Sequence, residues 1–191
     1  PNHEALITLA AVAAVTQRVR LLTSVLVAPL RRPGMLAKQA LTIDAFSGGR
    51  LTLGVGVGGR RDDFLAAPSP FGARGREMDQ LLSVLKQVSS GERLSDEVGP
   101  IGPPAVRPGG PEVLIGGFSP AALDRVGRWA DGFLGTGPNV ELVASLYGKA
   151  GESWEREGRA GKPRFVGAVY YALGPDAMER GAPYVRDYYG V

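Results

Sequence analysis

The sequence predicts an α/β fold built on a parallel sheet, and three observations predict it. Strand-like and helix-like segments alternate along almost the whole chain. The strand-like runs are short and apolar, as strands covered on both faces are. Glycines gather where such runs end, at Gly54, Gly56, Gly58 and Gly59 and again at Gly116 and Gly117. Two architectures satisfy this order: an open doubly wound sheet, or a β/α barrel.

The elements follow in order. Asn2 is placed to cap a first helix with Leu6, Leu9, Ala10 and Ala13 on one face. Residues 20–28, RLLTSVLVA, form an apolar run bounded by Pro29 and read as a buried strand. Pro33 opens a second helix with apolar positions Leu36, Ala40, Ile43 and Phe46, and Gly48-Gly49 ends it. Residues 50–57 read as the next strand, followed by a connection containing Pro68, Pro70 and Gly72, and a helix over 75–88. Residues 90–111 end in GPIGPPAVRPGGP, a loop composition. Then come a strand at 113–115, a helix at 120–130, a strand at 133–134 and a helix at 140–157. Residues 164–172 are strand-like, and 176–189 are helical with an interruption expected at Pro183. No segment repeats internally.

A chain of 191 residues suffices for one domain with a real core and is short for two. A full β/α barrel takes roughly 250 residues. Five strands would leave it about three short, so a fragment is expected, as is also suggested by a first residue, Pro1, that is not methionine.

Composition narrows the function. With no cysteine, disulfides, thiolate metal sites and thiol nucleophiles are excluded, and the single histidine, His3, argues against a histidine-built metal centre. The net charge of +3 comes from scattered arginines, with Arg31-Arg32 and Arg60-Arg61 the only adjacent pairs. Nucleic acid would want a basic stripe, so it is not the expected partner. No apolar run reaches the roughly 20 residues of a membrane span, and PNHEALITLAAVAAV lacks a basic leader. A cytoplasmic enzyme or binding protein is the expectation.

The stretch 51–64, LTLGVGVGGRRDDF, matches the G-x-G-x-x-G of a dinucleotide turn at Gly54, Gly56 and Gly59. Such a turn should open a long helix, yet Pro68 and Pro70 follow, and the acid expected about 20 residues on, Asp79, lies in a helical pattern. An NAD(P)-binding α/β dehydrogenase is therefore an alternative reading. Two others remain: the glycines only make room inside a barrel and a loop, or they clear space for a flat ring at a strand end. In VLIGGFSPAALDRVGRWADGF, Ser119-Pro120 is a cap and first-turn pair directly after Gly116-Gly117. That is either a phosphate cradle of backbone N–H groups or an ordinary capped turn. Thr23-Ser24 interrupts an apolar strand, and buried hydroxyls there normally bond to backbone. Arg60, Arg61, Asp62 and Asp63 read as a solvated loop, and no carboxylate pair or other catalytic residue is indicated.

Together these segments resemble the luciferase-like monooxygenase family, from residue 2 to about 173. The match runs through RLLTSVLVAPLRRPGMLAKQALTIDAFSGGRLTLGVGVG, DDF, FGARGREMDQLL, VGPIGPPAVRPGGPEVLIGG and FSPAALDRVGRWADGF. The resemblance implies a (β/α)8 TIM barrel, here a single domain over 1–191 lacking the first two strands and the last. It places residues 20–28 and 50–57 at the third and fourth barrel strands. It implies a reduced FMN cofactor, or coenzyme F420, acting on a small organic substrate, with a flavin reductase or NAD(P)H as electron source and a homodimeric assembly. By position, Thr23, Ser24 and Val25 would underlie the ring, with a cis peptide between Ser24 and Val25. Val57, Gly58 and Gly59 would lie beside the ring, and Gly116, Gly117, Phe118 and Ser119 would cradle the phosphate. Gly135 and Thr136 would assist. Many relatives carry a bulkier residue near Gly59. The strands that often supply a histidine or acid near the reacting carbon have no counterpart, and His3 is read as a helix-start residue. A non-catalytic flavin-binding barrel relative is the remaining alternative.

Overall fold

In the computed structural model, residues 3–67, 69–137 and 139–189 are described. Helix α1 (Ala5–Val15) starts under Glu4, whose carboxylate accepts the Ile7 amide at 2.7 Å. Asn2, the expected cap, lies outside the described residues; His3 is exposed just ahead of the helix. Strands β1 (Leu21–Leu22) and β2 (Leu26–Val27) follow, then a 3-10 turn at Ala28–Leu30 and helix α2 (Pro33–Ser47). Strand β3 (Leu51–Gly56), helix α3 (Arg61–Ala66), a 3-10 turn at Phe71–Ala73 and helix α4 (Arg74–Ser89) come next. The remainder is β4 (Glu112–Gly116), α5 (Pro120–Trp129), β5 (Gly132–Gly135), α6 (Val140–Arg156), β6 (Arg164–Gly167) and α7 (Ala177–Tyr189).

All pairings are parallel, and the strand order β1-β3-β4-β5-β6, with β2 also on β3, follows the chain without reversal. The helices follow the same succession, α1 on α2, α2 on α4, α4 on α5 and α5 on α6. A doubly wound sheet reverses its strand order at a switch point. The unreversed order is that of a barrel wall, so the fold is an incomplete β/α barrel. The core lies between sheet and helices, with Leu36, Leu41, Leu51, Leu53, Met78, Leu81, Ile115 and Phe133 fully buried.

Five expectations need correction. Arg61, Asp62 and Asp63, read as a loop, form the first turn of helix α3. The run 20–28 is one strand by composition and two in space, because Thr23–Val25 leave the ladder between β1 and β2. The cause is close approach: a Cβ on Gly54 would lie 2.0 Å from the Thr23 carbonyl oxygen. Thr23 then closes the bend, its Oγ1 donating to the Gly54 carbonyl at 2.7 Å. The Ser24–Val25 peptide is cis. Phe46, assigned to the inner face of α2, is exposed at 69%. Strand β6 stops at Gly167 rather than 172, where its ladder to β5 ends. Helix α7 runs through Pro183, where the carbonyl four residues back belongs to exposed Glu179 and water can replace the missing bond.

The ends of α1 and α2 are joined by Arg50, the arginine of the SGGR run. Its guanidinium donates to Ala13 O, Thr16 O, Thr16 Oγ1 and Val19 O, and its Nε to Ser47 O at 2.7 Å. Those carbonyls belong to helix C-termini and the turn after them, groups that helices leave without an internal partner. Gly48, left-handed at φ 63°, ends α2.

Candidate functional site

The parallel strands end together on one side of the sheet, where β/α barrels place their ligands. An open cleft of about 670 Å³ lies there. Its walls come from five places in the chain: Ser24, Val25 and Val27 around the strand break, Gly58, Gly59, Arg60 and Asp63 after β3, Gly116 and Phe118 around the end of β4, Leu134 and Thr136 around the end of β5, and a segment past β6. Ala168, Val169 and Tyr170, just beyond β6, complete it.

Seven of the residues singled out from the sequence therefore share one cleft: Ser24, Val25, Gly58, Gly59, Gly116, Phe118 and Thr136. The other five are not among its lining residues, and Ser119 among them is exposed. Thr23 is buried, with its hydroxyl spent on backbone. Val57 is half-buried against the core. Ser119 caps α5, its Oγ accepting the Ala122 amide at 3.3 Å. Gly117, at φ 148°, turns the chain into that helix, and a Cβ there would lie 2.9 Å from Ala122. Gly135 backs onto Tyr147, whose ring a Cβ would approach to 2.5 Å. That ring stacks on Phe165 at 4.7 Å, and burial pushes its hydroxyl pKa up.

The glycines of the LTLGVGVGG run thus serve different ends. Gly54 and Gly56 sit inside the β3 ladder, not in a turn, and α3 has only six residues. The dinucleotide geometry is absent. A Cβ on Gly56 would meet Val25 Cγ2 at 2.9 Å, and one on Gly116 would meet Val25 Cγ1 at 2.7 Å. The Val25 side chain is seated between two bare strands and lines the cleft. Gly58 adopts φ 75° and is packed by Val27, whereas a Cβ on Gly59 would meet nothing within 4 Å. Only Gly59 leaves unfilled space.

The volume lies within the roughly 300–1,000 Å³ of small-molecule sites. The walls combine apolar faces (Val25, Phe118, Leu134, Val169) with the hydroxyls of Ser24 and Thr136 and the charged Arg60 and Asp63. Arg60 pairs with Asp62, both well exposed. No group of three or more His, Asp or Glu side chains suited to a metal ion occurs among the described residues. Sequence reasoning missed Val27, Arg60, Asp63, Leu134 and the 168–170 wall. The available signal was positional: residues just past each parallel strand share one rim, and 168–170 follow β6.

Comparison with known proteins agrees with this architecture. The chain is 30% identical over 164 residues to an uncharacterized protein of Mycobacterium tuberculosis, covering 83% of the chain and 57% of that relative. It is 35% identical over 137 residues to an F420-dependent glucose-6-phosphate dehydrogenase of Nakamurella multipartita, covering 67% of the chain and 40% of the relative. It is 28% identical over 154 residues to an FMNH2-dependent dimethylsulfone monooxygenase of Pseudomonas putida, covering 74% and 42%. The chain thus spans roughly half the length of these curated relatives. Among solved structures, monooxygenase RslO1 from Streptomyces bottropensis superposes with a TM-score of 0.82 at 22% identity, covering 96% of the chain and 60% of that protein. The family profile of the luciferase-like monooxygenases matches residues 1–191, and the chain belongs to that family.

Proposed function

We propose that this chain carries the cofactor-binding side of a flavin-type oxidoreductase site acting on a small organic molecule. FMN is the favoured cofactor and coenzyme F420 the alternative, as both are named among the relatives. The observation that carries the reading is the convergence of Ser24, Val25, Gly58, Gly59, Gly116, Phe118 and Thr136 on one cleft at the strand ends. In this reading Thr23, Ser24 and Val25 support the ring, with Val25 locked in place by Gly56 and Gly116. Val57, Gly58 and Gly59 flank it. Gly116, Gly117, Phe118 and Ser119 hold the phosphate at the start of α5, where backbone amides and the helix dipole favour an anion. Gly135 and Thr136 border the far side. When bound, the cofactor supplies the redox chemistry, as reduced FMN toward dioxygen or as F420 toward hydride transfer. The chain's part is to bind, orient and shield from water; none of its residues is assigned as acid or base.

The rest of the reading is a cytoplasmic homodimer supplied with electrons by a flavin reductase or NAD(P)H. No helix among the described residues is long and apolar enough to cross a membrane. Support for self-association comes from α1, which carries no charged residue over Ala5–Val15 and leaves Ile7 and Val15 exposed. An apolar helix with an open outer face is a natural partner surface.

Parallel titration of the full chain with FMN, F420 and NAD tests the proposal. Saturable binding of FMN or F420 is expected. Tight NAD binding lost in Gly56→Val, with no affinity for either flavin-type cofactor, would overturn it.

A further inference from the structure

Arg125 lies in the second turn of α5, within the DRVGRW run that the cofactor reading leaves unused. We propose that Arg125 is a positioning residue for the Gly116–Ser119 turn, acting by clasping the first turns of α5 and α4 together. The proposal rests on the reading of that turn as the cofactor-phosphate site.

The guanidinium is buried, the residue being 5% exposed, and its bonds all converge on two helix starts. Nε and Nη2 grip Asp79 Oδ1 and Oδ2, each at 2.9 Å. Nη2 also donates to Gly75 O at 2.9 Å, and Nη1 to Ala121 O at 3.1 Å. Gly75 and Asp79 occupy the first turns of α4, and Ala121 is the second residue of α5. Gly75 leaves room for the group: a Cβ there would stand 3.3 Å from Nη2. Arg128 approaches the same carboxylate at 3.6 Å from the outside.

Asp79 is half-buried, and an ion pair that buries its arginine is a poor source of net stability compared with apolar packing of the same volume. What the planar fork adds is direction, since its donors fix both distance and orientation between the two helices. Ala121 follows the Ser119 cap by two residues, so the constraint acts on the turn whose amides would face the phosphate. The far end of α5 is held separately, by Arg159 donating to Val126 O and Gly127 O. The helix is thus pinned at both ends, with the Arg125 clasp at the end next to Gly116 and Phe118 of the cleft.

The test compares affinity for FMN with affinity for riboflavin, the same chromophore without phosphate, in wild type, Arg125→Met and Arg125→Lys. If the wild type takes F420 instead, F420 is compared with its phosphate-free deazaflavin chromophore. Thermal midpoints are recorded alongside. We expect wild type to prefer the phosphorylated ligand, Arg125→Met to cut that preference at least tenfold with riboflavin affinity within twofold, and Arg125→Lys to restore part of it. Parallel loss of both ligands, or an unchanged preference in the folded variant, would overturn the proposal. Should Arg125→Met not fold, Asp79→Asn, which keeps the Gly75 and Ala121 bonds, is read by the same ratio. A wild type without any preference for phosphate would instead sink the underlying site reading, visible before any variant is made.

Discussion

The two ends of the sheet are held by different means. At the start of the strands, side chains do the holding. Glu112 on β4 receives Thr52 Oγ1 at 2.6 Å, Arg20 Nη2 at 2.9 Å and Arg164 Nη1 from β6, while Arg50 ties the ends of two helices. Toward the finish of the strands, glycines take the place of such networks: Gly54 admits the Thr23 backbone, and Gly56 and Gly116 admit the Val25 side chain between them. Side-chain networks fill one end; at the other the missing side chains admit Thr23 and Val25, and Gly59 leaves open space. Binding needs an opening, so the less filled end carries the cleft, while the filled end supplies rigidity.

This contrast can be broken in four graded ways. The largest effect is expected from Gly54→Ala, whose new methyl would meet the Thr23 carbonyl and cannot be relieved by rotating a side chain. It should cost about 3 kcal/mol, read from urea unfolding midpoints, and equal stability would mean that the strands can part at the break. Next is Arg50→Met at the opposite end, which leaves five helix-end acceptors without their donor. A loss of about 2–3 kcal/mol is expected; a loss under half of that would show water replacing the guanidinium.

A smaller effect belongs to Asp44, fully buried near the end of α2, with its Oδ1 accepting the Leu51 amide at 3.3 Å. Burial raises its pKa, against the lowering influence of that hydrogen bond and of Arg107. The folded state then holds the proton more tightly than the unfolded chain does. Stability should fall as pH rises from the unfolded value of about 3.9 through the raised folded value. Asp44→Asn keeps an oxygen for Leu51 and should flatten that part of the pH profile. A profile of unchanged slope in the variant would assign the pH dependence elsewhere. The smallest effect is expected at Gly59, where a methyl meets nothing: Gly59→Ala should stay within about 0.5 kcal/mol of wild type. A loss like that of Gly54→Ala would mean that the rim is packed rather than open.

Much of this architecture was legible in the residues. Helical periodicity located α2, α4, α5 and α6, and Ser119-Pro120 marked the start of α5 to the residue. Apolar runs located the strands, but the break at Thr23–Val25 was not legible as such. It depends on a glycine 31 positions away in the chain, and only the two hydroxyls in an apolar run hinted at it. The role of Arg50 was hidden for the same reason, since all its acceptors but Ser47 O lie on α1 and in the turn after it. Gly135 shows the limit for the site: chemically it is indistinguishable from Gly59, yet one glycine accommodates a tyrosine ring and the other leaves space. That difference arises from packing between distant segments and not from local pattern.

One pair of substitutions tests most directly whether the open end is where a flavin-type cofactor binds. Ser24→Trp places a large side chain at the exposed cleft wall, and Ser90→Trp places the same one at an exposed position following α4, outside the cleft. Affinity for FMN and for F420 is measured on both variants and on wild type. At least a tenfold loss of the bound cofactor's affinity is expected for Ser24→Trp and none for Ser90→Trp, with both variants folded. Undiminished affinity in a folded Ser24→Trp protein would contradict that expectation and place the cofactor elsewhere.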